Sequence, residues 1–110
     1  MFGKVLIAVA SLALLGVAPP SIGAQRMEAA SKDILGACGD RDGWSDPAPP
    51  AHVHGRTWYV GTCGITVLLI ETSAGLVLID TGPADAAPHV LANVRTLGFD
   101  PRQIKWVLMT

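Results

Sequence analysis

Charge is scarce in this chain: eight Lys and Arg stand against nine Asp and Glu, and charged residues make up 15% of the total. No basic stripe follows a phosphate backbone, so nucleic acid is not an expected partner. Aromatic residues are few, at 5%, and any core must be mainly aliphatic. There is no Gly-x-Ser-x-Gly elbow, no P-loop and no paired glycines opening a helix, which removes support for a serine hydrolase or a nucleotide-binding fold. Internal repeats and low-complexity tracts are absent. The long apolar run, Val5 to Val17, falls short of the ~20 residues that a membrane span requires.

That run has a different reading. Lys4 precedes it, Pro19 and Pro20 end it, and Ile22-Gly23-Ala24 supplies small residues before Gln25. Residues 1–24 therefore read as an export signal peptide. A lipid anchor would need a cysteine at the cleavage point, and the first cysteine is Cys38. Cleavage removes one positive charge, Lys4, so the net charge of −1 becomes −2 and no membrane attachment remains. The two cysteines, Cys38 and Cys63, would then meet an oxidising compartment, which favours a disulfide. Closing that loop would stabilise the fold by roughly 3–4 kcal/mol on the chain-entropy model. A reactive or metal-binding thiol is the other reading, weakened by the lack of a Cys-x-x-Cys spacing.

Downstream of the signal, residues 25–50 read as a short helix and a loop. Met27, Ala30, Ile34 and Leu35 form a weak apolar stripe over Gln25–Ala37, and Gly36 is a stop signal. Gly39–Pro50 is rich in turn formers and holds one large apolar residue, Trp44. Residues 51–110 change to strand character. A first strand, split by a turn at Gly55, ends in Thr57–Val60. A second follows Gly64, with Ile65, Val67 and Leu69 on one face and Thr66, Leu68 and Ile70 on the other. Both faces are apolar, so cover on both sides is expected. A turn at Ser73-Ala74-Gly75 leads to a third strand, Leu76–Ile79, ending at Asp80. A helix follows, capped by Asp85, with Pro88 in its first turn, an apolar face of Val90, Leu91, Val94 and Leu97, and a stop at Gly98. Ile104–Met109 returns to strand character, so strand, helix and strand imply a parallel pair. An apolar final strand with nothing after it leaves a sheet edge open. The expectation is an α/β domain that is truncated at Thr110.

Two clusters invite chemistry. His52 and His54 would share one face of a regular strand and could grip one metal, but no third ligand stands nearby, and His89 lies on the helix. A solvated hairpin is the better reading. Asp80 is more informative, because it closes a buried strand at the carboxyl end, where α/β folds place their sites. A carboxylate there can orient a metal ligand. It can equally cap its own turn.

Five segments in order carry a resemblance: GWSDPAPP at 43–50, TWYVGTCG at 57–64, LIDTG at 78–82, LGF at 97–99 and IKWVLMT at 104–110. Together they resemble the amino-terminal portion of metallo-β-lactamases of the third subclass of class B, over about residues 35–110. The resemblance implies the amino-terminal part of an αβ/βα sandwich, roughly the first third of such an enzyme. It implies that the complete protein is a monomeric, zinc-dependent periplasmic hydrolase opening the β-lactam ring of penicillins, cephalosporins and carbapenems. Zinc lowers the pKa of a bound water toward ~7 and polarises the lactam carbonyl. The family's His-x-His-x-Asp-His zinc motif begins directly after the position that matches Thr110. Residues 1–110 are accordingly expected to hold no zinc ligands, bind no zinc and be inactive alone. By the same resemblance Asp80 supports the metal site, Thr110 leads into the ligand motif, Trp44 lines the substrate entrance, and Cys38 and Cys63 tie that loop to the sheet. The alternatives are a lactonase or thioester hydrolase of the same superfamily, or a non-enzymatic secreted module held by its disulfide.

Overall fold

The computed structural model describes residues 16–19 and 33–110. The export signal, apart from residues 16–19, and the first part of the helix expected from Gln25 lie outside these. Residues 33–38 are helical (α1). Five strands follow: β1 (Ala51–His54), β2 (Thr57–Tyr59), β3 (Leu68–Thr72), β4 (Gly75–Ile79) and β5 (Ile104–Leu108). The helix α2 (Ala87–Thr96) joins the last two. They make one sheet in the order β1-β2-β3-β4-β5, antiparallel except for the parallel β4–β5 pair.

The turn expected at Gly55 divides the first strand into a hairpin, β1 and β2. Gly55 adopts φ 54°, a left-handed conformation that glycine tolerates, and the chain reverses there so that Ala51 pairs with Tyr59. The second expected strand begins later than its apolar pattern does. Residues 60–67 form a compact irregular turn before Leu68, with Val60 N–H donating to the Val67 carbonyl at 2.9 Å.

Period-2 alternation then sorts the side chains. Val67, Leu69, Leu76 and Leu78 face one way and meet Val60 and the Val90/Val94 stripe of α2, all at most 5% exposed. Burying each such side chain is worth about 1.5–3 kcal/mol before chain entropy is counted. The opposite face carries Leu68, Ile70, Val77 and Ile79, which the described residues leave half-buried. Cover on both faces is therefore not what these residues provide: α2 covers one. On β5, Trp106, Val107 and Leu108 are 49%, 47% and 54% exposed.

The start of α2 differs from expectation. Pro88 lies in its first turn, as its missing N–H allows, but Asp85 does not cap it. Asp85 falls inside a 3-10 turn, Ala84–Ala86, that runs straight into the helix, so the helix N-cap is Ala86 with no side-chain bond. At the far end Gly98, at φ 89°, stops the helix.

Candidate functional site

Asp80 ends β4 at φ 65°, the non-glycine residue with positive φ among the described residues. Asp tolerates this region because its short carboxylate bonds to the backbone just ahead. Here Oδ1 accepts the N–H of Thr81 at 2.6 Å and of Gly82 at 3.0 Å. The other oxygen, Oδ2, accepts the hydroxyl of Thr110. Asp80 N–H donates to the Leu108 carbonyl at 2.7 Å. Of the two roles the sequence left open, orienting a metal ligand or capping its own turn, the turn cap is formed by Oδ1, while Oδ2 is bonded to Thr110. The Thr110 hydroxyl first, and then the N–H groups of Gly82 and Thr81, hold the Asp80 carboxyl below its usual range. The carboxylate is half-buried at the carboxyl end of the sheet.

The 61–64 block explains itself residue by residue. A Cβ on Gly61 would lie 2.3 Å from the Ile65 carbonyl oxygen, and one on Gly64 would lie 2.1 Å from that of Asp42. Both positions require glycine because backbone, which cannot swing aside, fills the space. Thr62 between them is fully buried. Its hydroxyl donates to the Trp44 carbonyl at 2.8 Å and accepts the Ile65 N–H at 3.0 Å. Cys63 is bonded to Cys38, with Cα atoms 5.5 Å apart. Its N–H donates to the Asp46 carbonyl at 2.9 Å. Tyr59 closes the turn by donating to the carbonyls of Thr62 and Ile65, and burial raises its phenol pKa.

These bonds hold the 39–50 loop, in which Asp46 Oδ2 accepts the Gly43 N–H at 3.1 Å and Trp44 projects with 69% of its surface exposed. The turn after Asp80 lies against the same block: a Cβ on Gly82 would touch Ile65 and Val67. The chain of contacts thus runs from the Trp44 loop through Thr62 and Ile65 to the Asp80 turn.

Helix α2 supplies a second grip that the sequence reading missed. Asn93 is 4% exposed. Its amide donates to the carbonyls of Ala48 at 2.9 Å, Val60 at 3.1 Å and Gly61 at 3.4 Å. One turn earlier, His89 Nε2 lies 2.8 Å from the Ala48 carbonyl and 3.0 Å from its N–H, serving one or the other according to its tautomer. The signal was an amide three residues after Val90, inside the apolar stripe. A polar group on a buried face must find partners.

The histidine pair does not make a site. A bulge between His52 and His54 breaks the alternation that would align them. The His52 ring stands edge-on to Trp58 at 4.9 Å, with Nε2 2.8 Å from the Gly55 carbonyl. No three His, Cys, Asp or Glu side chains come together as a metal site would need among the described residues. Among those residues, too, no helix is long and apolar enough to cross a membrane.

Residues 60–110 match the family model described as the metallo-beta-lactamase superfamily. Among solved structures, the metallo-β-lactamase MIM-1 from Novosphingobium pentaromativorans is 58% identical, with a TM-score of 0.68, over 71% of this chain and 30% of that one. The MIM-2 metallo-β-lactamase is 42% identical, with a TM-score of 0.71, over 74% of this chain and 31% of that one. A B3 metallo-β-lactamase with an active-site glutamic acid is 51% identical, with a TM-score of 0.60, over 67% of this chain and 28% of that one. The chain thus spans about 30% of the length of the structures it matches.

Proposed function

Residues 60–110 place this chain in the metallo-β-lactamase superfamily, and from that premise we propose that it is the amino-terminal part of a subclass B3 enzyme that hydrolyses β-lactam rings with zinc. The observation that carries the reading is the 58% identity to MIM-1 across 71% of the chain. The fold agrees with it: one sheet with a helix on one face is one αβ half of an αβ/βα sandwich.

In this proposal Asp80 supports the metal site without binding the ion. Its carboxylate ties the end of β4 to Thr110, fixing the point from which the zinc-binding segment would depart. Trp44, presented on a loop bonded to Thr62, Asn93 and Cys63, would line the substrate entrance. The residues described here do not fit zinc themselves. Both cysteines are joined, His52 is packed on Trp58, and His89 is committed to Ala48. The ligands would come from outside these residues, and no catalytic step is assigned to this chain. Residues 1–110 alone should show no hydrolysis. The complete protein would be monomeric, carry residues 1–24 as its signal peptide and work in the periplasm on penicillins, cephalosporins and carbapenems.

Nitrocefin turnover by the product of the complete coding sequence, lost on chelation and restored by zinc, is the expected result. Turnover of a lactone or thioester with none of nitrocefin would move the reading to another hydrolase of the superfamily.

A further inference from the structure

We propose that the Cys38–Cys63 bridge is an exchangeable bond with a fixed polarity: an incoming thiolate attacks Cys38, and Cys63 departs as a thiolate held by Arg41. The basis is where Arg41 sits. Its Nη2 lies 3.8 Å from the Cys63 sulfur while donating to the carbonyls of Ala37 at 2.6 Å and Pro47 at 3.2 Å. Two carbonyls thus hold Nη2, with the charge of the guanidinium beside the Cys63 sulfur.

A fixed cation favours the thiolate form, and the sulfur with the lower thiol pKa is the faster leaving group. Cys38 has the opposite surroundings. It closes α1, where outward-facing carbonyls disfavour negative charge. Both cysteines are only half-buried, so a small thiol can reach them.

The exchange balances without a further reactant. A bond forms between the incoming sulfur and Cys38 as the Cys38–Cys63 bond breaks, and the bonding pair stays on Cys63. Once that thiolate takes a proton from water, the Pro47 carbonyl, 3.4 Å from the sulfur, can accept its S–H. With a dithiol reagent the second thiol displaces Cys38, leaving both cysteines reduced and the reagent oxidised to a cyclic disulfide.

The consequence is local. The bridge joins α1 to the 61–64 block, but the loop between them has its own anchors in Thr62, the Cys63 N–H and Asn93. Exchange therefore leaves α1 tied to the loop through Arg41, which bridges the Ala37 and Pro47 carbonyls, and leaves the Trp44 loop seated.

The test uses the whole chain with its disulfide intact. Brief exposure to 2-mercaptoethanol, trapping with iodoacetamide and peptide mass mapping locate the mixed disulfide. It should form at Cys38, with Cys63 alkylated, about fivefold more often than the reverse. Arg41→Gln should bring the ratio toward one and slow reduction by dithiothreitol several-fold, while Arg41→Lys keeps the preference. Equal adducts at the two cysteines of the unsubstituted chain, or an unchanged ratio in Arg41→Gln, would overturn the proposal.

Discussion

Asp80 holds a backbone conformation that most side chains avoid, and three donors on its carboxylate stabilise it there. Because those donors lower the folded-state pKa, the contribution to stability is present above the unfolded value of about 3.8 and is lost as pH falls through the lowered folded value. Asp80→Asn should keep an acceptor for the turn while flattening this acid-side decline, as thermal melts between pH 2 and 5 would show. An unchanged profile would mean that the carboxylate is not titrating against its donors. Asn93 gives a sharper energetic test, since three carbonyls depend on one buried amide. Asn93→Ala should cost about 1–3 kcal/mol in urea unfolding. Arg102→Ala should stay within about 0.5 kcal/mol, because the Asp100–Arg102 pair is solvent-exposed. The Asp80 position was legible in the sequence because a strand end followed by Thr-Gly-Pro is a local pattern. Asn93, Thr62 and Arg41 were not, since their partners lie 18 to 45 residues away or in an irregular loop.

At the scale of elements, β4, α2 and β5 were readable because period-2 and helical stripes are strong and Gly98 and Pro101 punctuate them. The entrance to the sheet was less so. The turn at Gly55 was expected, but the next strand starts at Leu68 and not at Ile65, and a 3-10 turn displaced Asp85 from its expected capping role. The interlocked backbone of residues 60–67 was not legible, because the alternation from Ile65 reads as strand although the strand begins at Leu68. Its glycines nevertheless make a firm prediction: Gly61→Ala forces a methyl against the Ile65 carbonyl. It should destabilise the chain more than Gly36→Ala, where the space is open. Within the sheet, Leu69→Ala should cost about 2–5 kcal/mol by leaving a cavity under α2. Denaturant midpoints would check both.

The molecule as a whole has one face of its sheet covered by α2 and the other half-buried, with Trp106 and Leu108 exposed beside it. That asymmetry suits half of a two-layer sandwich, whose second layer would lie on Leu68, Ile70, Val77 and Ile79. It also fits a chain that spans about 30% of its structural relatives. Fold and family can be read from these residues, while the chemistry proposed for the protein needs ligands that they do not supply. The most direct test is to read the coding DNA past codon 110. The account predicts His-x-His-x-Asp-His in frame within a few codons; a stop codon or unrelated sequence there would contradict it.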